Sequence, residues 1–597
     1  TVLLMAVQKP VFLAYYAADA AQASVGEWLG VVWHGLTLDS TVAGYVTALP
    51  LLLALVSLWV RLPGRIWRRV LTGYFVLVAT VTAVIFAVDV ELYQHWGFRL
   101  DATILIYLTD PEEAMASVDF WLGVRQTLLA VAYAALMVWV YRLVCRLFDG
   151  EPLRRGAALP WSLVLLLLAG CDFLAIRGGL GASVANVSKA YFSANMFLNH
   201  AATNPVFSFL TSLGDHTDYA AEYPFFDEAG REERFARLRG NDPSAAAPER
   251  VLTTSRPNVV VVILESFART VMDADVGGLP VMPNMQRLKG EGIWFENFFA
   301  NSFRTDRGEV AILSGFPAQT RMSIMKLPAK SRNLPSLARS LSGAGYATGF
   351  SYGGDLNFTD QASYMYATGW QQLTWQKDLR FDTPPADWGY DDAVMCDWFA
   401  DRVIALSGKG EPFLAGMLTL SSHRPFDVPF SKFDDKELNA FAFSDECVGR
   451  MVDKLKASPA WDNLLLVLVA DHGYPWPRSL SYNEPLRHRI PMIWLGGAVA
   501  APRVVDTYAS QIDICATILG QLGIDHSDFD YSKDIFAPTP PRKFAYYTFN
   551  DGFGVVDASG EAVWDATSGK AVSETAPGLL DIGRTMLQTT YVDIGNR

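Results

Sequence analysis

The positions of apolar residues separate the N-terminal part of the chain from a mixed remainder. Four apolar runs recur within the first 177 residues, each about long enough to cross the hydrocarbon core of a bilayer. They cover residues 42–60, 70–88, 119–141 and 160–176, and a weaker run at 2–18 is interrupted by Lys9 and Pro10. The pattern predicts an α-helical transmembrane domain of about five helices over 1–177. Because the chain begins with Thr1, we expect its natural N-terminus to lie upstream.

Loop charges orient these predicted helices. Two loops contain arginine clusters, formed by Arg61, Arg65, Arg68 and Arg69 and by Arg142, Arg146, Arg154 and Arg155. In contrast, 21–41 contains no lysine or arginine and 91–118 contains only Arg99. The positive-inside rule places the two arginine loops in the cytoplasm. We therefore expect a multi-pass protein of the inner or plasma membrane, with everything after Arg177 in the periplasm or outside the cell.

The middle of the chain predicts a transition to a soluble domain. Residues 178–213 are moderately apolar, which is typical of short helices along a membrane surface. Residues 222–256 are strongly charged and include the linker-like sequence GNDPSAAAPER. We assign 178–256 to juxtamembrane helices and a linker, with a boundary near residue 250.

Residues 257–597 alternate strand-like and helical patterns. The sequences NVVVVILE, FLAGMLTLSS, LLLVLVADHG and RIPMIWLGG alternate with helical stretches, which predicts an α/β domain with a central, mainly parallel sheet between helices. In such sheets functional groups collect beyond the carboxyl ends of the strands. Glu265, the Ser421-Ser422-His423 stretch and the Asp471-His472 pair each follow an apolar run.

The overall charge of the chain argues against one class of partner. The net charge of −13 argues against a nucleic-acid partner, which usually requires a basic face.

Four residues have the chemistry of a metal-activated nucleophile. Glu265, Asp471 and His472 offer two carboxylates and an imidazole, and Thr305 offers a hydroxyl that could attack as an alkoxide. A divalent metal would activate the threonine and polarise a phosphoryl oxygen of the substrate. Taken singly, a glutamate after a strand is more often an ion-pair partner, and Asp-His-Gly is a weak motif. Their combination carries the prediction.

The surroundings of Thr305 favour an anion. The sequence TDRGEVAILS has helical character and Gly315 ends it, so Thr305 should lie near a helix N-terminus. Arg304 and Arg307 could meet a phosphate. The alternative is that Thr305 is simply a helix cap.

Two further histidines are candidates. His423 could hydrogen-bond a substrate phosphate or leaving oxygen, and the alternative is a loop histidine satisfied by backbone groups. His488, before the apolar run RIPMIWLGG, could serve substrate binding or structure equally well.

These motifs together resemble a known family. They are N-V-x-x-x-x-x-E-S at 258–266, R-T-x-R-G-E at 304–309 and D-H-G at 471–473, with further similar pieces such as MPNMQRL, SYGGD and YYTFNDGFG. With the predicted spans, the chain resembles the lipoteichoic acid synthase family, membrane-anchored transferases of the alkaline phosphatase and sulfatase superfamily.

The resemblance implies a fold, a metal and a reaction. It implies that 257–597 is an extracytoplasmic sulfatase-like catalytic domain in which Glu265, Thr305, Asp471 and His472 bind Mn²⁺, or Mg²⁺ or Zn²⁺. Thr305 would attack phosphatidylglycerol, release diacylglycerol and carry glycerophosphate to an acceptor on a glycan, glycolipid or polymer. His423 resembles a family histidine that contacts the headgroup.

Departures from the family pattern leave the substrates open. The segment SYGGDLNFTDQ lacks the His and the Trp/Arg pair of the family, and Asp355 and Asn357 are candidates for part of that role. The motif of formylglycine sulfatases is also missing around Thr305. Phosphoethanolamine transfer and a non-catalytic membrane scaffold with a sulfatase-like fold remain the alternatives.

Overall fold

A computed structural model describes residues 1–60, 63–102, 104–107, 120–146, 155–214, 217–239, 248–477, 480–538 and 543–597. Within these ranges the chain forms two compact units, Thr1–Thr217 and Asp218–Arg597. The predicted boundaries at 177 and 256 stay predictions. Arg61, Arg154, Asp119 and most of the predicted linker lie outside the described residues.

The first unit is helical. Its helices are α1 Val2–Tyr15, α2 Ala17–Ala20, α3 Val25–Ser57, α4 Gly64–Trp96, α5 Ile104–Tyr107, α6 Phe120–Cys145, α7 Arg155–Arg177, α8 Met196–Ala202 and α9 Pro205–Ser212. Within the described ranges, four helices are long and apolar enough to cross a membrane: α3, α4, α6 and residues 157–177 of α7. Each of the four long spans predicted from the sequence overlaps one of these helices.

Helix α3 begins well before the predicted span at 42–60. Helix α3 starts at Val25 because Ser24 and Glu27 form a capping box: the Ser24 side chain accepts from the Glu27 backbone N–H and the Glu27 side chain accepts from the Ser24 N–H. The weak fifth run forms α1, which has 14 residues. Its Lys9 is buried and pairs with Asp39 of α3 at 2.7 Å.

The second unit is built on an eight-stranded sheet. The strands are β1 Asn258–Leu264, β2 Asp275–Val276, β3 Leu279–Pro280, β4 Ile293–Phe295, β5 Phe298–Phe299, β6 Ala347–Tyr352, β7 Gln372–Trp375, β8 Phe413–Leu418, β9 Leu464–Ala470, β10 Met492–Leu495, β11 Arg503–Val505, β12 Ala509–Ser510, β13 Ala545–Phe549, β14 Gly552–Asp557, β15 Gly560–Asp565 and β16 Lys570–Glu574. The main sheet has the order β11-β4-β10-β9-β1-β8-β6-β7, and β13 to β16 form a separate antiparallel sheet. In the main sheet only β10 pairs antiparallel to its neighbours.

The second unit also contains twelve described α-helices. They are α10 Glu228–Ala236, α11 Arg269–Met272, α12 Pro283–Lys289, α13 Thr305–Ser314, α14 Pro328–Ser331, α15 Leu337–Gly343, α16 Gln361–Ala367, α17 Asp392–Ser407, α18 Lys436–Lys456, α19 Pro485–His488, α20 Ile514–Leu522 and α21 Leu579–Asn596. The predicted fold class, a helical membrane part followed by an α/β domain with a mainly parallel sheet, is confirmed.

The central strands bring the candidate ligands together. Every residue of β1 and β9 is buried, as expected for strands covered on both faces, which read as unbroken apolar runs. The two strands are parallel and in register from Asn258 opposite Leu464 to Leu264 opposite Ala470. The next residue on each strand is therefore a carboxylate, Glu265 beside Asp471.

Candidate active site

Three predicted ligands meet at the carboxyl edge of the sheet. One ligand atom each from Glu265, Asp471 and His472 lies within 4.8 Å of the others. The Nε2 atom of His472 is 3.4 Å from Asp471 Oδ2 and 3.8 Å from Glu265 Oε1. The sequence predicts these three residues as neighbours, and the structure brings them together.

Hydrogen bonds orient Asp471 and His472 toward a common centre. Asp471 Oδ1 accepts from the backbone N–H groups of Ser266 and His472, both at 2.7 Å. Its Oδ2 is buried and accepts no hydrogen bond from the residues that the structure describes. His472 Nδ1 lies 3.0 Å from the Gly473 carbonyl, which can only accept, so Nδ1 holds the proton of the neutral ring and Nε2 is free to bind a metal.

Glu265 is held by the strand ends around it. Its backbone N–H donates to Thr419 Oγ1 at 2.8 Å, and its carbonyl accepts from Ser422 Oγ at 2.6 Å. Its carboxylate accepts from Ser266 Oγ at 2.7 Å. Ser266 has a φ of 58°, a left-handed conformation that is costly outside glycine and is concentrated at functional sites.

Thr305 is the first residue of α13 and faces Glu265. Its hydroxyl donates to Glu265 Oε2 at 3.4 Å. Arg304 occupies the cap position and makes no side-chain cap, so Thr305 is not the cap of this helix. A Cβ at Gly308 would lie 2.1 Å from the Asp471 carbonyl oxygen. Only glycine lets α13 approach the end of β9 this closely, and that approach positions Thr305.

The local electrostatics fit a divalent cation. Burial, and then the charge of Asp471, raise the pKa of Glu265 well above its usual value. Glu309, one turn after Thr305, is fully buried, and neither of its carboxylate oxygens has a hydrogen-bond partner in the described parts of the chain. Burial, then Asp471 and Asp306, raise its pKa as well. Oxygen and imidazole donors around an orphaned Asp471 Oδ2 match the ligands of Mn²⁺, Mg²⁺ or Zn²⁺.

His423 lies beside this cluster. Burial lowers the pKa of His423, and His472 and Asp471 contribute to its electrostatic surroundings. Its Nδ1 lies 2.7 Å from the Arg424 carbonyl, which leaves Nε2 unprotonated. The Trp388 ring packs edge-on against the imidazole, with centroids 4.7 Å apart.

The two arginines of the threonine motif differ in exposure. Arg304 is exposed, and its guanidinium lies 5.8 Å from the centre of the Phe303 ring. Arg307 is buried, lies over the same ring at 5.0 Å and donates weakly to Ser302 Oγ at 3.4 Å.

The remaining candidates lie on one loop and a short helix. Asp355 Oδ1 accepts from the Asn357 backbone N–H and side-chain amide at 2.9 and 2.8 Å, which forms a compact polar turn after β6. His488 is buried, stacks on Tyr547 with centroids 4.0 Å apart and has its Nε2 2.8 Å from the Tyr482 carbonyl. Burial lowers the pKa of His488 to about 4, so the ring is neutral.

Sequence reasoning did not find three residues of this region. Trp388 reaches His423 from a loop that no motif marks. Tyr352 ends β6, and after burial the charges of Glu265, Glu309 and Asp471 are among the influences that raise its pKa. Glu309 is part of the motif at 304–309, but only the folded structure shows that its carboxylate is buried without a hydrogen-bond partner among the described residues. The available signal for Tyr352 was its position at the end of an apolar run.

Comparisons with known proteins agree with this geometry. Residues 257–524 match the sulfatase family model. The chain is 26% identical over 344 residues to phosphoglycerol transferase I of Xanthomonas campestris, a match that covers 51% of this chain and 47% of that protein. It is 28% identical over 317 residues to phosphoglycerol transferase I of Salmonella arizonae, covering 49% and 41%. The chain spans less than half the length of these curated relatives.

Two solved structures share the fold. A protein of the alkaline phosphatase superfamily from Vibrio parahaemolyticus has a TM-score of 0.56 and 23% identity, covering 64% of this chain and 98% of that one. The lipoteichoic acid synthase LtaP of Listeria monocytogenes has a TM-score of 0.52 and 19% identity, covering 62% and 98%. The resemblance predicted from the sequence is confirmed: residues 257–524 match the sulfatase family model, and the chain shares its fold with a protein of the alkaline phosphatase superfamily and with the lipoteichoic acid synthase LtaP.

Proposed function

We propose that this protein is a metal-dependent phosphoglycerol transferase that moves glycerophosphate from phosphatidylglycerol to an outward-facing acceptor. The observation that carries the proposal is the approach of the Thr305 hydroxyl to Glu265, at 3.4 Å, beside the Glu265, Asp471 and His472 cluster. The curated relatives named phosphoglycerol transferase I support the choice of the transferred group.

Four residues would hold the metal: Glu265, Asp471, His472 and Thr305. When bound, a divalent ion such as Mn²⁺ neutralises the carboxylates, favours the threonine alkoxide and polarises a phosphoryl oxygen. The chain prepares this site through the hydrogen bonds that fix Asp471 and the His472 tautomer.

In the first half-reaction Thr305 acts as the nucleophile. Its hydroxyl loses a proton to solvent, a bond forms between Thr305 Oγ1 and phosphorus, and the bond from phosphorus to the diacylglycerol oxygen breaks. That oxygen takes up a proton from solvent and diacylglycerol leaves. The N-terminus of α13 directs backbone N–H groups toward the phosphoryl oxygens, and Arg304 adds a positive charge at the mouth.

In the second half-reaction an acceptor hydroxyl replaces threonine. The unprotonated Nε2 of His423 accepts the proton of that hydroxyl, the acceptor oxygen bonds to phosphorus, and Thr305 regains a proton as its bond to phosphorus breaks. Packing against Trp388 and the Nδ1 hydrogen bond hold the imidazole in position. The acceptor is a hydroxyl of a glycan, a glycolipid or a growing polymer.

Recognition of the glycerol headgroup is assigned to polar groups near His423. Asp355 and Asn357 offer hydrogen-bonding groups suited to hydroxyls, and Arg307 and His488 support the walls of the site. The helices α3, α4, α6 and α7 anchor the protein in the inner or plasma membrane, with the sulfatase-like domain in the periplasm or outside the cell. The arginine loops on the cytoplasmic side support this orientation.

The proposal is tested with full-length protein in detergent, Mn²⁺ and two radiolabelled donors. We expect diacylglycerol release from phosphatidylglycerol and none from phosphatidylethanolamine. Release from phosphatidylethanolamine alone would assign phosphoethanolamine transfer instead. Release from neither donor, with folded and metal-loaded protein, would support a non-catalytic scaffold.

A further inference from the structure

Two aromatic arms flank the candidate site. The first arm runs outward from His423 through Trp388 to Phe358, whose ring lies 5.4 Å from that of Trp388 and is 38% exposed. The second arm begins at Phe303, next to the cap of α13, and reaches Tyr482 at a ring distance of 4.7 Å. Both arms therefore end in exposed rings at the mouth of the site.

The exposed ends of the arms are unusual in this domain. The described residues of Asp218–Arg597 include seven large apolar side chains with exposed surfaces: Val276, Leu279, Phe358, Tyr482, Leu486, Val504 and Val572. Phe358 and Tyr482 are the outer rings of the two arms, Leu486 follows Tyr482 by four residues, and the side chains of Tyr482 and Leu486 are 49% and 46% exposed. Aromatic rings with one apolar side and one polar edge are typical of the boundary between lipid headgroups and acyl chains.

Arginines without carboxylate partners accompany the second arm. The Arg487 guanidinium lies 3.7 Å from the centre of the Tyr482 ring, and its buried Nε has no hydrogen-bond partner among the residues that the structure describes. Arg304, at the other end of the arm, is exposed. Within the described ranges neither arginine forms an ion pair with a carboxylate, although the chain has a net charge of −13. The exposed Arg304 complements the phosphates of a lipid surface.

We propose that these two arms dock the mouth of the site onto a phospholipid bilayer. Phe358, Tyr482 and Leu486 enter the boundary between headgroups and acyl chains, and the exposed Arg304 meets lipid phosphates. Docking keeps the acyl chains of the donor in the membrane, because withdrawing each buried CH₂ group costs about 0.8 kcal/mol. The same chain carries four helices suited to crossing a bilayer, so a bilayer is within its reach. This inference rests on the proposed phospholipid donor.

The test compares two donors in one preparation. Full-length protein in phosphatidylcholine vesicles receives either long-chain phosphatidylglycerol within the bilayer or a short-chain, water-soluble phosphatidylglycerol. The variant Phe358→Ser/Leu486→Ser is expected to release diacylglycerol from the bilayer donor about tenfold more slowly, and from the soluble donor within about twofold of the wild type. The control variants Val504→Ser and Val572→Ser remove apolar side chains on edge strands that are even more exposed, at 58% and 55%, and should change neither rate.

Three outcomes separate the hypotheses. An equal loss with both donors would overturn docking, because the arms would then serve the site itself, and no loss with either donor would also overturn it. A wild-type protein that releases diacylglycerol from neither donor would instead refute the proposed function.

A second measurement does not depend on turnover. A photoreactive benzophenone side chain at Phe358 or Tyr482 should give lipid adducts, and the same group at Val572 should not. Absence of lipid adducts at 358 and 482, or adducts at all three positions alike, would contradict docking.

Discussion

The contact between α13 and the end of β9 gives a sharp test of how Thr305 is positioned. Gly308 is the contact point, since a Cβ there would lie 2.1 Å from the Asp471 carbonyl oxygen. Carbon and oxygen atoms do not approach this closely, so in Gly308→Ala the helix has to retreat by roughly 1 Å. The retreat carries Thr305 away from Glu265.

The expected effect follows from the cost of misplacing a reacting group. A shift of about 1 Å lowers the rate by about 100-fold, or about 2.7 kcal/mol of transition-state stabilisation. Overpacking lowers the free energy of unfolding by about 1–3 kcal/mol, partly offset by the better helix propensity of alanine. The assay is diacylglycerol release from labelled phosphatidylglycerol, run beside thermal unfolding and metal content.

A matched control separates geometry from propensity. Gly343 ends α15, and a Cβ there would meet no atom within 4 Å. Gly343→Ala should leave turnover unchanged. If Gly308→Ala retained activity within about twofold of the wild type while folded and metal-loaded, the argument that this glycine positions Thr305 would be refuted.

Three further perturbations test individual side chains. Thr305→Ala should remove turnover while the protein stays folded, and Thr305→Ser should retain part of the turnover. A covalent phosphoryl adduct detected by mass spectrometry in the alanine variant would contradict the assignment of Thr305 as the nucleophile. Asp471→Asn should weaken Mn²⁺ binding by at least about tenfold in calorimetry, because the orphaned Oδ2 loses its charge, and unchanged affinity would exclude Asp471 as a ligand. Burial raises the pKa of Glu309 in the folded protein. The contribution of Glu309 to the free energy of unfolding is therefore greatest below its unfolded pKa of about 4.3, and it is lost as the pH rises toward the folded pKa. In metal-free protein, the melting temperature of Glu309→Gln should therefore fall less steeply with pH above about 4.3 than that of the wild type. An unchanged dependence of melting temperature on pH would show that ionisation of Glu309 does not cause the loss.

The parts of the site that lie on strands can be predicted from the sequence. The runs NVVVVIL and LLLVLVA are apolar at every position, which is typical of buried parallel strands, and each ends in a carboxylate. Parallel strands share one carboxyl edge, so the two runs by themselves predict Glu265 and Asp471 as neighbours. The start of α3 is also encoded locally, since Ser24 and Glu27 have the spacing of a capping box.

Contacts made by loops cannot be predicted in the same way. Trp388 follows a stretch rich in Pro and Asp, and only the path of the folded chain brings it to His423. The packing of Gly308 against Asp471 likewise joins residues far apart in sequence, with no local pattern that records the contact.

The register of the central strands would couple folding to the proposed metal binding. A slip of one residue between β1 and β9 would move Glu265 out of step with Asp471 and turn its side chain to the other face of the sheet. The seven fully buried pairs from Asn258 opposite Leu464 to Leu264 opposite Ala470 oppose that slip. They hold Glu265 beside Asp471, where burial, and then the charge of Asp471, raise the pKa of Glu265. The hydrophobic energy of the sheet thus maintains a cluster that is unfavourable without a cation, and a cation that binds only the folded chain stabilises it further.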